Sequence, residues 1–177
     1  MTVLVRRAGP DDVPRLARIN VDTWRAAYAG IVPAAYLDGL DVHDFENRWR
    51  GRLTIDHPGI SSWVAEVDGH VAGYASVGPY RPQQDADPTE DMTGWGEVYA
   101  LYTEVERQGR GAGGAVQDAA LAWLRDQGAR HAALWVLRDN ESSRRWYAAH
   151  GWRADGTTSY WDDAGTPLEE VRLVRSL

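Results

Sequence analysis

The sequence predicts an α+β fold: a mixed, mostly antiparallel twisted sheet flanked by helices, with a strand-helix-strand unit at its centre. Three observations carry this. Helical periodicity fills the amino-terminal part, an Asp-Gly hairpin signal follows it, and a glycine-rich turn then joins a strand directly to a helix. Residues 3–6 read as a short strand. Pro10-Asp11-Asp12-Val13-Pro14 opens a helix, because proline is tolerated in a first turn and acids favour the helix amino end. Val13, Leu16, Ala17, Ile19, Trp24 and Ala27 then recur at helical spacing. Gly30-Ile31-Val32-Pro33 interrupts the pattern, and one further helix is expected over 34–53. Strands over 62–67 and 70–77 flank Asp68-Gly69, a pair suited to the positive φ angles of a two-residue hairpin turn.

The segment 79–94 is proline-rich and acidic, with Asp85, Asp87, Glu90 and Asp91, and reads as a surface loop. A strand over 97–103 follows, for which period-two alternation puts Val98, Ala100 and Tyr102 on one face and Glu97, Tyr99, Leu101 and Thr103 on the other. The glycine turn at 109–114 leads into a helix carrying Val116, Ala119, Ala120, Trp123 and Leu124, which ends near Gly128. A strand over 131–137, a short helix over 142–149 closed by Gly151, and a terminal hairpin of 157–161 with 169–174 complete the chain.

With 177 residues, 44% of them hydrophobic, the chain suits one domain, 1–177, around a full core. Acids outnumber bases, 26 to 19, for a formal charge of −7. That balance argues against a nucleic-acid partner, which needs a basic face to neutralise phosphates, and favours a cationic or amine partner. No cysteine is present, which removes disulfides, thiolate metal sites and cysteine nucleophiles. The five histidines, at 43, 57, 70, 131 and 150, form no metal-ligand spacing, so no metal is expected. Neither a signal-like amino terminus nor a run long enough to cross a bilayer occurs, and a soluble, cytoplasmic protein without membrane contact is expected. Nine Trp and eight Tyr stand against one Phe. Such rings suit half-buried cleft walls, although Trp replacing Phe in an ordinary core accounts for the same counts.

The most informative stretch is Gln108-Gly109-Arg110-Gly111-Ala112-Gly113-Gly114, between a strand and a helix. Glycines allow close backbone approach, and the unpaired N–H groups of a helix amino end attract a phosphate. A plain tight connection is the bland alternative. A triphosphate loop is excluded, because Ala115-Val116 stand where Lys and Ser/Thr would be needed. The dinucleotide fingerprint Gly109-x-Gly111-x-x-Gly114 stays open, leaving a nicotinamide-dependent oxidoreductase as an alternative. Its preceding strands form a hairpin, however, and the first acid beyond the next strand is Asp139.

A third pattern, Gln108-x-x-Gly111-x-Gly113, resembles the coenzyme A signature of the GNAT superfamily, the GCN5-related N-acetyltransferases, in the form of a single-domain bacterial type. Asn140-x-x-Ser143-x-x-Trp146-Tyr147-x-x-x-Gly151-Trp152 resembles a second family segment, with Trp where Phe is usual. Residues 98–103 resemble the family's fourth strand, and 24–33 its acceptor-side helices. The resemblance implies acetyl-CoA as donor, coenzyme A as product, and direct transfer to a primary amine of a small molecule or an exposed amino group. A homodimer is a further family expectation. A coenzyme A-binding regulatory domain without turnover remains the alternative within the same fold.

By the same resemblance, the strands matching 98–103 and 131–137 splay, and the pantetheine arm lies in the gap beside Leu101, Tyr102 and Thr103. Gln108, Gly109, Arg110, Gly111, Ala112, Gly113 and Gly114 would cradle the pyrophosphate, with Asn140 and Ser143 as further donor contacts. Tyr147 would protonate the leaving thiolate, since a phenol of pKa about 10 keeps its proton at neutral pH. Glu97 is the expected base, with Glu104 as its alternative. Trp24, Tyr28, Tyr80, Tyr160 and Trp161 are candidate walls of the acceptor site, and Asp162-Asp163 could attract a cation.

Overall fold

A computed structural model describes residues 2–54, 59–82 and 91–177. The expected acids Asp85, Asp87 and Glu90 lie outside the described residues. Strand β1 (Val3–Arg7) passes through a 3-10 turn at Pro10–Asp12 into α1 (Val13–Ala27). Asp12 accepts the Gly9 N–H at 2.8 Å and the Arg6 guanidinium at 2.7 and 2.8 Å, which ties β1 to the helix start. The single helix expected over 34–53 is instead two, α2 (Ala34–Asp38) and α3 (Val42–Thr54). Arg25 of α1 explains the break. Its guanidinium donates to the carbonyls of Leu37 at 3.1 Å and Leu40 at 2.8 Å, satisfying a helix end, and Asp41 then accepts the His43 N–H at 2.7 Å to start the next helix.

β2 (Ser61–Val67) and β3 (His70–Pro79) form the expected hairpin, with Asp68 at φ 51° and Gly69 at φ 81°. β4 (Trp95–Thr103), a 3-10 turn at Val105–Arg107, α4 (Ala112–Asp126), β5 (His131–Leu137), α5 (Glu141–Ala149), β6 (Arg153–Trp161) and β7 (Leu168–Ser176) follow. The seven strands of the described residues lie in the order β1-β2-β3-β4-β5-β7-β6, so the last strand inserts between β5 and β6. Among the described residues only strands β4 and β5 run parallel, and they pair over just three positions, Trp95 with His131, Gly96 with Ala132 and Glu97 with Ala133.

A bulge explains why the pairing stops there. Ser76 pairs with Ala100 and Val77 with Val98, leaving Tyr99 as an extra residue in β4. An extra residue bends its strand, here away from β5. It also reverses alternation, so the expected shared face of Val98, Ala100 and Tyr102 is corrected: Val98 and Leu101 pack with α4, whereas Ala100 and Tyr102 pack with α1 and α3.

Helix α4 covers one sheet face with Val116, Ala120 and Leu124 one turn apart and buried. Burial of each larger aliphatic side chain contributes about 1.5–3 kcal/mol. The fit is tight at Gly96, where a Cβ would meet Leu124 at 2.7 Å. α1 and α3 cover the other face through Leu16, Ile19 and Trp49. No helix is long and apolar enough to cross a membrane among the described residues.

Candidate active site

Past Glu97 the diverging strands open a cavity of about 780 Å³, floored by Val98 to Thr103 of β4 and Leu134 to Val136 of β5. Edge direction follows from one bond. The Glu104 N–H donates to Ala72 in β3 at 2.8 Å, so by alternation the Tyr102 edge also faces β3 while the N–H and C=O of Leu101 and Thr103 face the gap. The expected backbone edge therefore faces the cavity, where the Thr103 carbonyl accepts from the Thr23 hydroxyl at 3.3 Å.

At the cavity mouth the glycine turn meets α4. Gly109 and Gly111 have φ of 74° and 80°, a left-handed backbone that favours glycine, and nothing lies within 4 Å of a Cβ built on either. The first helical hydrogen bond of α4 runs from Ala115 N–H to the Gly111 carbonyl, which leaves the N–H groups of Ala112, Gly113 and Gly114 without helical partners. Gly113 is needed for closeness, because a Cβ there would meet Thr103 Oγ1 at 3.1 Å and the Trp146 ring at 3.3 Å. A concave nest of N–H groups at a helix start fits an anionic diphosphate.

Helix α5 closes the opposite wall. Asn140 is buried and caps the helix, its Oδ1 accepting the Ser143 N–H at 3.1 Å, so the NH2 of the amide is the half open to a ligand. Tyr147 lines the cavity with its ring edge-on to Trp146 at 5.2 Å and Trp152 at 6.0 Å. Burial raises its phenol well above the ordinary range, which keeps the proton on oxygen.

Leu101, Tyr102, Thr103, Gln108, Gly109, Gly111, Ala112, Gly113, Gly114, Asn140, Ser143, Tyr147 and Tyr28 all line this cavity. Arg110 is exposed and outside it. Trp24 and Trp161 stand behind Tyr28: Trp24 packs against Tyr28 at 4.8 Å and Trp161 at 5.6 Å, and its indole N–H donates to the Tyr102 hydroxyl at 3.0 Å. Tyr80 does not join that group, since its hydroxyl accepts from Arg172 at 3.2 Å. Tyr160 points to solvent, 54% exposed. Glu97 is only 2% exposed, and Arg81 occupies both of its oxygens, with the guanidinium at 2.7 Å on Oε1 and the main-chain N–H at 2.8 Å on Oε2. Glu104 is ion-paired with Arg15 and Arg107.

The profile of the acetyltransferase (GNAT) family matches residues 19–152. The chain belongs to this family. An uncharacterized N-acetyltransferase of Bacillus subtilis strain 168, YuaI, is 34% identical over 172 residues, spanning 97% of this chain and 91% of its own. The fold is similar to that of PaiA N-acetyltransferase from Thermoplasma acidophilum in complex with coenzyme A, with a TM-score of 0.78, 16% identity and 100% of both chains covered. It is also similar to YncA from Salmonella typhimurium with its cofactor acetyl-CoA, at a TM-score of 0.70 and 18% identity over 100% of this chain and 95% of that one. The protein is thus an N-acetyltransferase, and the dinucleotide alternative loses its premise because the glycine turn follows the fourth strand of a mostly antiparallel sheet.

Several residues at the cavity and the adjoining aromatic group escaped sequence reasoning. His150 lines the cavity and continues the helical stripe of Ser143, Trp146 and Tyr147, a signal that was available. Tyr36 joins the aromatic group at 5.2 Å from Trp161, and Trp135 lines the cavity floor. Glu170 of β7 is the most consequential. Burial, with the nearby charges of Glu97 and Asp163, pushes its carboxyl up to about 7, and it shares electrostatic contact with Tyr28 and Tyr102. No local pattern marks it, because its neighbours come from β4, α1 and the β6–β7 turn.

Proposed function

We propose that this enzyme transfers an acetyl group from acetyl-CoA directly to a primary amine, of a small molecule or an exposed amino group, within a ternary complex. The observation that carries this is the joining of two half-sites at β4. A phosphate-fitting backbone cradle and a gap-facing strand edge line one part of the cavity, and Tyr28 and Tyr102, which share electrostatic contact with the Glu170 carboxyl, line another.

The donor brings an activated thioester. In this reading the N–H groups of Ala112, Gly113 and Gly114 hold its diphosphate, Leu101 and Thr103 align its arm through their main-chain edges, and the Thr103 N–H points to the carbonyl oxygen as charge develops there. Tyr147 gives its phenolic proton to the departing sulfur and regains one from solvent, to which the attacking nitrogen releases its second proton as the C–S bond breaks. Glu170, rather than the clamped Glu97, takes the proton that the acceptor ammonium must lose before its nitrogen can attack; a carboxyl poised near neutrality suits that exchange. Trp24, Tyr28, Tyr36 and Trp161 form the apolar and π-rich wall for the carbon chain beside the amine. The deciding measurement is acyl-dependent thiol release over a panel of polyamines, amino acids, aminoglycosides and peptides. A rate that never rises above background thioester hydrolysis, despite coenzyme A binding, would favour the non-catalytic regulatory alternative.

A further inference from the structure

We infer that His150 is a titrating ligand for the donor's phosphates, adding a switchable charge to the backbone cradle at the start of α4; this rests on reading the β4–β5 cavity as the coenzyme A site. The ring is fixed from two directions. It stacks on Trp146 with centroids 3.9 Å apart and planes 22° from parallel, and its Nδ1 lies 2.8 Å from the Trp146 carbonyl oxygen. A carbonyl only accepts, so Nδ1 carries a hydrogen and the tautomer is set. Nε2 is then the variable atom. It lies 3.6 Å from where a Cβ of Gly114 would be, beside the last of the three unpaired N–H groups of α4, and both Gly114 and His150 line the cavity. The imidazole thus fills space that a side chain at 114 would take, and among the described residues no hydrogen bond holds Nε2.

The chemistry of that nitrogen depends on charge. Neutral, with hydrogen on Nδ1, the ring offers an anion only a lone pair. With a second proton on Nε2 it becomes a cationic donor to a phosphate oxygen. Phosphate binding that draws a proton onto Nε2 therefore takes up a proton, and affinity falls as pH rises. Other charges nearby do not substitute for it. Arg175 of β7 donates to the His150 carbonyl at 2.7 Å rather than to the ring, the exposed Asp118 lies one turn beyond Gly114 on α4, and Arg110 in the turn is exposed.

Titration calorimetry with 3′-dephospho-coenzyme A tests this, since its diphosphate carries no proton to lose near neutrality. Wild-type affinity should weaken roughly three- to tenfold between pH about 5.5 and 8.5, with proton uptake visible as a buffer-dependent heat. His150→Gln, which keeps a donor but does not titrate, should bind with no pH slope, and both proteins should bind pantetheine, which has no phosphate, equally at every pH. A flat wild-type profile, or a slope that survives in His150→Gln, overturns the role of His150. Unequal pantetheine binding by the two proteins also overturns it, by assigning the ring to packing of the arm. Failure of coenzyme A itself to bind at any pH would instead overturn the donor site on which the inference rests.

Discussion

The two halves of the site are built from different materials. The proposed donor half is main chain: three helix-start N–H groups, two left-handed glycines and the gap-facing edge of a bulged strand. The proposed acceptor half is side chain: Trp24, Tyr28, Tyr36, Tyr102, Trp161 and Glu170, from α1, α2, β4, β6 and β7. A main-chain site needs only local geometry, so short glycine patterns specify it and a common cofactor suits it. A side-chain site is assembled across the sheet, so it can change its substrate without disturbing the other half.

Variants can separate these halves. The largest effect is expected at their junction: Tyr147→Phe should lower kcat by roughly a hundredfold or more while coenzyme A affinity stays within about twofold, checked by steady-state rates and calorimetry. Equal loss of both would place Tyr147 in donor packing. Gly111→Glu should weaken coenzyme A binding by about a hundredfold, because it puts a Cβ at φ 80° and a negative charge beside the diphosphate, with acceptor chemistry untouched. Retained affinity would move the cradle elsewhere.

Glu170→Gln should lower kcat/KM roughly tenfold at pH 8, the low end of a general base's contribution. The sign of the pH effect follows from the raised carboxyl: a base must be ionised, so the wild-type rate falls as pH drops below about 7. A pH series should lose that limb in the Gln variant; its persistence would return the role to another group. The smallest effect is expected at the outer wall, where Trp161→Ala should raise the acceptor KM about fivefold with donor affinity unchanged.

Legibility divides along the same line. The cavity-lining places of Gln108, Gly109, Gly111 to Gly114, Asn140 and Tyr147 were readable because each belongs to a contiguous pattern whose backbone need is local, whereas Arg110 of the same turn faces outward. Glu97 was legible only in its place in the strand, because its partner Arg81 comes from beyond the preceding strand. The bulge at Tyr99 has one faint signal, Gly78, where an added Cβ would collide with the Tyr99 ring, as strand glycines often mark close approach. The Trp excess also resolves by position. Trp152 is a core residue, 3% exposed, with its N–H donated to Gln117 at 2.8 Å, whereas Trp146 lines the cavity and stacks on His150.

Sequence alone determined the order of elements, the hairpin, the strand-helix crossover and the anion-fitting turn, because capping, periodicity and glycine conformations act within a few residues. Tertiary structure decided the split of the second helix by Arg25, the divergence of β4 from β5, and the insertion of β7 that brings Glu170 within electrostatic reach of Tyr28 and Tyr102. Those outcomes depend on register and on contacts between distant segments, where burial and neighbouring charge, rather than local pattern, set what each side chain can do.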